Sequence, residues 1–256
     1  MKLSLLNKNK KINILGTKVD CADYKRILKK IDFQISKKQS HFICVAAVHL
    51  LMEAKKDPLF QKKINQSLTT TSDGMPLVWF AKLKVQKQTQ RVYGPELMLQ
   101  LCHLAEQKEY KIFLLGGAKG QGKILKKKLL QQFPNLKIAG YTDTPKRPIP
   151  ELENQKIIKQ INQSKTTIVF VGLGCPIQEK WMINHYQQLD VAVCLGVGAA
   201  FDFISGKIKQ APPWMQNNGL EWLFRLIQEP KRLWKRYLLL NCQFVLALLK
   251  EQMIKK

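Results

Sequence analysis

The chain is 256 residues long and carries 43 Lys plus Arg against 18 Asp plus Glu, a formal net charge of +25. That length suits one large domain or two small, closely packed ones with a substantial core, and the basic excess favours an anionic partner: nucleic acid, an anionic membrane or a phosphorylated substrate. Several classes are excluded: the six scattered cysteines form no CxxC pair and no zinc-like spacing, no window reaches the roughly 18 apolar residues of a spanning helix, and the lysine-interrupted start "MKLSLLNKNKKINILG" is no signal peptide.

In chain order, "HFICVAAV" at 41–48 reads as a strand and "LMEAKKDPLFQKKI" at 51–64 as a helix. "TTTSDGMPLVWFAK" follows, with Asp73 in a turn before Gly74 and Pro76. "RVYGPE" leads into a helix over 95–108, with Pro95 at its first position. Next come a strand at 110–117, a helix at 120–133, a short strand "LKIAGY", a Pro-rich loop at 142–150 and a helix at 151–163. Strands at 166–174 and 191–198 complete the alternation, and from about residue 205 a Trp/Arg/Leu-rich helical tail begins. Strands alternating with helices predict an α/β fold, a Rossmann-like, mainly parallel sheet with helices on both faces. The expected organisation is a 1–204 core of two packed halves, with the nucleotide site in the second, and a 205–256 helical appendage. Cys44 and Cys194 sit inside apolar runs, and the six cysteines (Cys21, Cys44, Cys102, Cys175, Cys194, Cys242) read as reduced core residues of a cytosolic protein.

In such sheets ligands bind beyond the carboxyl ends of the strands. Three glycine turns stand there: "GGAKGQGK" from Gly116 and Gly117, "GLGCPIQEKW" with Gly172, Gly174 and Pro176, and "GVGAAFDF" with Gly196, Gly198 and Asp202. None is a complete GxGxxG, and an ordinary tight turn explains any one of them. Together they point to a nucleotide diphosphate held by peptide N–H groups and helix N-termini. Gly117, Gly122 and Lys123 imitate a P-loop, but Ile124 stands where that motif needs a hydroxyl for Mg²⁺. Phosphate approach survives this loss; NTP hydrolysis does not. Gln178 and Glu179 open a helix, where they can hydrogen-bond a base or ribose or simply satisfy the helix N-terminus. Asp73 is a turn acceptor or a general base. Arg91 can cap a helix, pair with a carboxylate or hold phosphate. No DxD pair lies in a loop, and the four histidines are not spaced as ligand pairs. No metal or other cofactor is therefore expected. In the tail, helical spacing places Arg225, Arg232 and Arg236 near one side, interleaved with Trp and Leu. That pattern fits a helix in a membrane interface, a buried C-terminal helix or a nucleic-acid contact.

The blocks "SDGMPLVW", "RVYGPELM", "VFVGLGCPIQEKWM", "GVGAAFDFISGKIKQAPPWMQNNGLEWLFRL" and "EPKRLWKRY" resemble those of the WecG/TagA/CpsF glycosyltransferases over roughly residues 40 to 240. The resemblance implies a metal-independent transfer of an N-acetylmannosamine-type sugar from a UDP donor. It implies a polyprenyl-diphosphate-linked acceptor at the inner face of the cytoplasmic membrane, in cell-surface polysaccharide synthesis. Carried over by position, Asp73 is the base and Arg91 an activity-determining arginine. Gln178 and Glu179 belong to the donor site with the glycine turns. Arg225, Arg232 and Arg236 lie near the diphosphates. Val45 and Ala47 stand where many members carry Thr and Asn, and His49 is the polar residue nearest them. The expected partners are the two substrates, an anionic membrane surface and a possible second copy of the chain, but no nucleic acid. The rival readings are a non-catalytic nucleotide-binding regulator and a nucleic-acid-binding α/β protein.

Overall fold

The computed structural model describes residues 11–37, 39–84, 89–146 and 148–254. Its centre is a six-stranded sheet of β3 (His41–Ala46), β4 (Thr69–Ser72), β5 (Ile112–Gly116), β6 (Ile138–Thr142), β7 (Ile168–Gly172) and β8 (Val193–Gly196). The strands run in the order β4-β3-β8-β7-β5-β6, and every pairing is parallel. Because β8 lies between β3 and β7, the two expected halves of the core share one continuous sheet.

The strands are apolar on both faces, as a doubly covered parallel sheet requires. Side chains alternate: Ile112, Leu114, Ile168, Phe170, Val193 and Leu195 enter one core, while Phe113, Leu115, Val169, Val171 and Cys194 enter the other. The first core is closed by α1 (Tyr24–Ser36), α5 (Gly94–Gln107), α6 (Gln121–Gln132) and α9 (Ala200–Ile204). The second is closed by α2 (Val48–Lys56), α3 (Pro58–Ile64), α4 (Met75–Lys84), α7 (Glu151–Gln163) and α8 (Ile177–His185). Each fully buried Leu, Ile or Phe contributes about 1.5–3 kcal/mol.

Some expectations need correction. The helix expected over 51–64 is two helices, because Asp57 caps α3 by accepting from the Phe60 N–H at 3.0 Å and Pro58 starts it. A proline at that point cannot continue the helix before it. The first strands, β1 (Lys11–Ile14) and β2 (Thr17–Asp20), form an antiparallel hairpin that the sequence reading left unassigned. The hairpin turns at Leu15 and Gly16, both at positive φ. It is tied to the sheet where the Asp20 carboxylate accepts from the Thr70 N–H at 3.1 Å. All six cysteines are unpaired, but Cys242 is exposed rather than in the core.

The tail comprises α10 (Pro213–Asn217), α11 (Glu221–Gln228), α12 (Pro230–Trp234), a π-helical turn over Lys235–Leu239 and α13 (Leu240–Ile254). It is not one helix. Glu229 leaves helical conformation before Pro230, so single-helix spacing does not bring its arginines together; the bend does. α13 packs on α2, with Phe244 and Ala247 joining the second core.

Candidate active site

The carboxyl ends of β3, β4, β5, β7 and β8 open into one cleft of about 850 Å³. Gly117, Gly172, Gly174, Gln178, Gly196, Gly198 and Asp202 line it, as do Val45, Ala47, His49 and Asp73. Gly116, Pro176 and Glu179 do not. Gly116 has φ +124, and a Cβ there would stand 2.6 Å from the Gly172 carbonyl oxygen, so this glycine lets two neighbouring strands end side by side. Pro176 precedes α8, after a cis peptide bond from Cys175. Glu179 is fully buried beneath the loop.

Several of the amides around the glycine turns are committed to protein side-chain acceptors. Gln178 Oε1 accepts from the N–H of Gly174 at 3.2 Å and of Gly198 at 3.0 Å, joining the β7 and β8 turns. Its Nε2 donates to Glu179 Oε1 at 2.8 Å, which fixes which way the amide faces. Burial raises the Glu179 carboxyl from its ordinary value. In the P-loop-like segment, Asp143 accepts from the N–H of Gly120 at 2.7 Å and of Gly122 at 2.8 Å. A protein carboxylate thus takes two N–H groups at the start of α6. Gln121 Oε1 takes the Ala118 N–H, and its Nε2 donates to Asp202 Oδ1 at 2.9 Å.

Positive charge at the cleft comes instead from side chains. Lys207, Arg225, Arg232, Lys235 and Arg236 line it. Lys207 pairs with Asp202 at 3.4 Å and Arg232 pairs with Glu229. The Arg225 guanidinium stacks over the Phe203 ring at 5.3 Å, and its buried Nε has no hydrogen-bond partner among the described residues. His49 is held down to about 4 by burial and by the Arg236 cation, so it is neutral near pH 7. Among the described residues no cluster of three or more His, Cys, Asp or Glu side chains could hold a metal ion.

Asp73 follows β4 directly and is tied down by Arg91. Arg91 Nε donates to the Asp73 carbonyl at 2.6 Å, and a terminal nitrogen donates to Asp73 Oδ1 at 3.0 Å. The same nitrogen reaches Glu221 Oε2, on α11, at 2.7 Å. Tyr93 lies under the guanidinium at 4.2 Å and donates its hydroxyl to Glu221 Oε1 at 2.8 Å. Glu221 was not singled out in the sequence, and only its place in the "GLEW" block marked it. Burial lowers Arg91's hold on its proton, but the two carboxylates more than reverse this, and it stays cationic. Burial pushes the Asp73 carboxyl above its usual value; Arg91 opposes that and Glu221 adds to it. The Asp73 side chain retains 21% of its accessible surface, enough to meet a substrate atom.

A second cavity, of about 300 Å³, also reaches Asp73. It runs between α4 and α13 and is lined by Met75, Pro76, Trp79, Trp222, Tyr237, Phe244 and Val245. Its surface is mainly apolar, whereas the first cleft is the more polar of the two. Ala47, His49, Asp73, Tyr93, Arg225 and Arg236 belong to both. The structure therefore brings Asp73, Arg225, Arg236 and His49 to one junction. Arg91 lines only the apolar groove and Arg232 only the polar cleft.

Comparison with known proteins gives this geometry a context. The sequence profile of the glycosyl transferase WecG/TagA/CpsF family matches residues 12–256. The chain is similar to a Bacillus subtilis (strain 168) N-acetylglucosaminyldiphosphoundecaprenol N-acetyl-beta-D-mannosaminyltransferase, at 34% identity over 87% of this chain and 84% of the relative. Proteins of the same name are similar at 28% identity in Staphylococcus aureus (strain MRSA252), over 87% of each chain, and at 30% in Bacillus spizizenii, over 82% of this chain and 79% of the relative.

Proposed function

The chain belongs to the glycosyl transferase WecG/TagA/CpsF family, and from that premise we propose that it moves an N-acetylmannosamine-type sugar from a UDP donor to a polyprenyl-diphosphate-linked N-acetylglucosamine. The observation that carries this reading is the position of Asp73 where a polar cleft meets an apolar groove. The cleft is large enough for a nucleotide sugar, and its glycine-edged floor admits one closely. The groove suits the acceptor sugar and the start of its lipid.

The reaction is a single displacement. The acceptor hydroxyl attacks the donor's anomeric carbon, Asp73 takes the hydroxyl proton, the bond to the diphosphate oxygen breaks, and UDP departs with inversion. Proton removal by a positioned carboxylate contributes about 10²- to 10⁴-fold. Arg225, Arg232 and Arg236 line the cleft and would meet the charge of the departing diphosphate; pre-placed cations of this kind act without reorganising. No divalent ion enters this mechanism. The side chains of Val45 and Ala47, which line the cleft, carry no hydrogen-bonding group, and His49 is the polar side chain beside them that could meet the donor's acetamido group.

The tail's outer surface supports a peripheral membrane location. Trp214, Ile227, Trp234, Leu238, Leu239, Leu246 and Leu249 are exposed among Lys231, Arg232 and Lys235. Apolar and basic side chains so mixed favour an anionic bilayer surface, at about 1 kcal/mol per basic residue. No helix among the described residues is long and apolar enough to cross a membrane. Such a site fits cell-surface polysaccharide assembly on a lipid carrier at the inner face of the cytoplasmic membrane.

The test is a donor screen with a short-chain prenyl-diphosphate N-acetylglucosamine acceptor, read by mass spectrometry. The expected product is the acceptor plus one N-acetylhexosamine, formed fastest from UDP-N-acetylmannosamine. UDP binding with no transfer from any UDP-sugar would identify a nucleotide-binding regulator instead.

A further inference from the structure

The residue that links the tail to the chemistry is Glu221. It lies 130 residues from Arg91 in sequence, yet its two carboxylate oxygens are both engaged at the base, one by Arg91 at 2.7 Å and one by the Tyr93 hydroxyl at 2.8 Å. Only 9% of its side chain is exposed. Arg91 is held on the core side independently of the tail, by the Asp73 carbonyl and by the Tyr93 ring. One terminal nitrogen of Arg91 serves both Asp73 and Glu221. We infer that Glu221 is a positioning residue that strengthens Asp73 as a base, by sharing the guanidinium that would otherwise belong to Asp73 alone.

The physical argument concerns charge division. A carboxylate paired with an undivided guanidinium is a weak proton acceptor, because the cation favours its charged form. A second carboxylate on the same nitrogen spreads that cation over two anions and adds its own negative field. Asp73 then binds a proton more readily, in line with the upward push that Glu221 exerts on it. The other charged or titratable groups around Asp73 are Arg225 and Arg236 from the tail, His49 from α2, Tyr93 from the segment before α5 and Tyr24 from α1.

This inference rests on Asp73 being the base, and the experiment separates the two. Full-length Glu221→Gln is assayed for transfer between about pH 5 and 9. Loss of the negative neighbour favours ionised Asp73, so the acid limb of kcat/KM should move to lower pH by about one unit. The plateau should fall about tenfold as the base weakens. Tyr93→Phe loosens Glu221 without removing a charge and should move the limb the same way, by less. An unmoved limb in Glu221→Gln, with only the acceptor KM or the stability changed, makes Glu221 a structural tie and overturns the inference. Should Glu221→Gln not fold, an unmoved limb in Tyr93→Phe overturns it equally. Wild-type turnover in Asp73→Asn would instead remove the base itself.

Discussion

Replacing Asp73 with Asn is expected to lower turnover by about 10²- to 10⁴-fold while leaving UDP affinity nearly unchanged. The carboxamide keeps the shape and one acceptor oxygen, so the Arg91 hydrogen bond at Asp73 Oδ1 has a partner. What it cannot do is accept the acceptor's proton. UDP affinity should persist because the substitution removes no cation and leaves the cleft's arginines and glycine turns in place. Steady-state transfer, together with calorimetric UDP binding, checks both halves. A variant that loses turnover and UDP binding together would mean that Asp73 holds the donor fold rather than the proton. The wild-type acid limb adds a second readout. Burial raises the Asp73 carboxyl, so activity is lost as pH falls through a value above the ordinary carboxylate range, and is fully present above it.

The second large effect is expected at the tail arginines. Arg225→Ala and Arg236→Ala should each lower kcat by roughly 10²- to 10³-fold, the range for removing one pre-placed charge-stabilising group. The reasoning follows from the amide accounting. Gly174 and Gly198 give their N–H groups to Gln178, and Gly120 and Gly122 give theirs to Asp143. These four backbone donors are therefore spent, and guanidinium groups are expected to carry the leaving diphosphate. Arg225 offers a buried Nε with no acceptor among the described residues, and Arg236 lies close enough to depress His49. Lysine at either position should recover only part of the rate, because it lacks the planar fork that grips two phosphate oxygens. Pre-steady-state measurement separates a slower chemical step from weaker donor binding. Full activity in both alanine variants would return the diphosphate to backbone amides.

Much of the scaffold was legible because its signals are local. A β-rich apolar run ending in glycine marks a buried parallel strand and its turn, and β5, β7 and β8 each end that way. The "KKDPLF" stretch held a cap and a first-position proline that divide α2 from α3, a signal visible in sequence once Asp57 is seen as an N-cap. β4 was hidden because it reads "TTTS": every side chain is buried, yet none is apolar. The site was legible only in part. Asp73, Arg91 and the tail arginines could be placed through the family resemblance, but their convergence depends on the bend at Pro230. Gln121, Asp143, Tyr93 and Glu221 act on partners between 3 and 130 residues away. No periodicity reports such pairs, although an acidic residue in an otherwise basic, aromatic tail was a hint for Glu221. Glu179 shows the converse: its place beside Gln178 suggested a donor contact, and the fold turns it inward to orient that amide.

The central claim is that protein guanidinium groups, rather than a divalent cation, carry the charge of the departing nucleotide. The most direct measurement is transfer from UDP-N-acetylmannosamine to the prenyl-diphosphate acceptor with enzyme stripped by EDTA and assayed in its presence. The account predicts an unchanged rate with wild-type protein and no gain on adding manganese or magnesium. Loss of transfer on chelation, with recovery when either ion is restored, would contradict it.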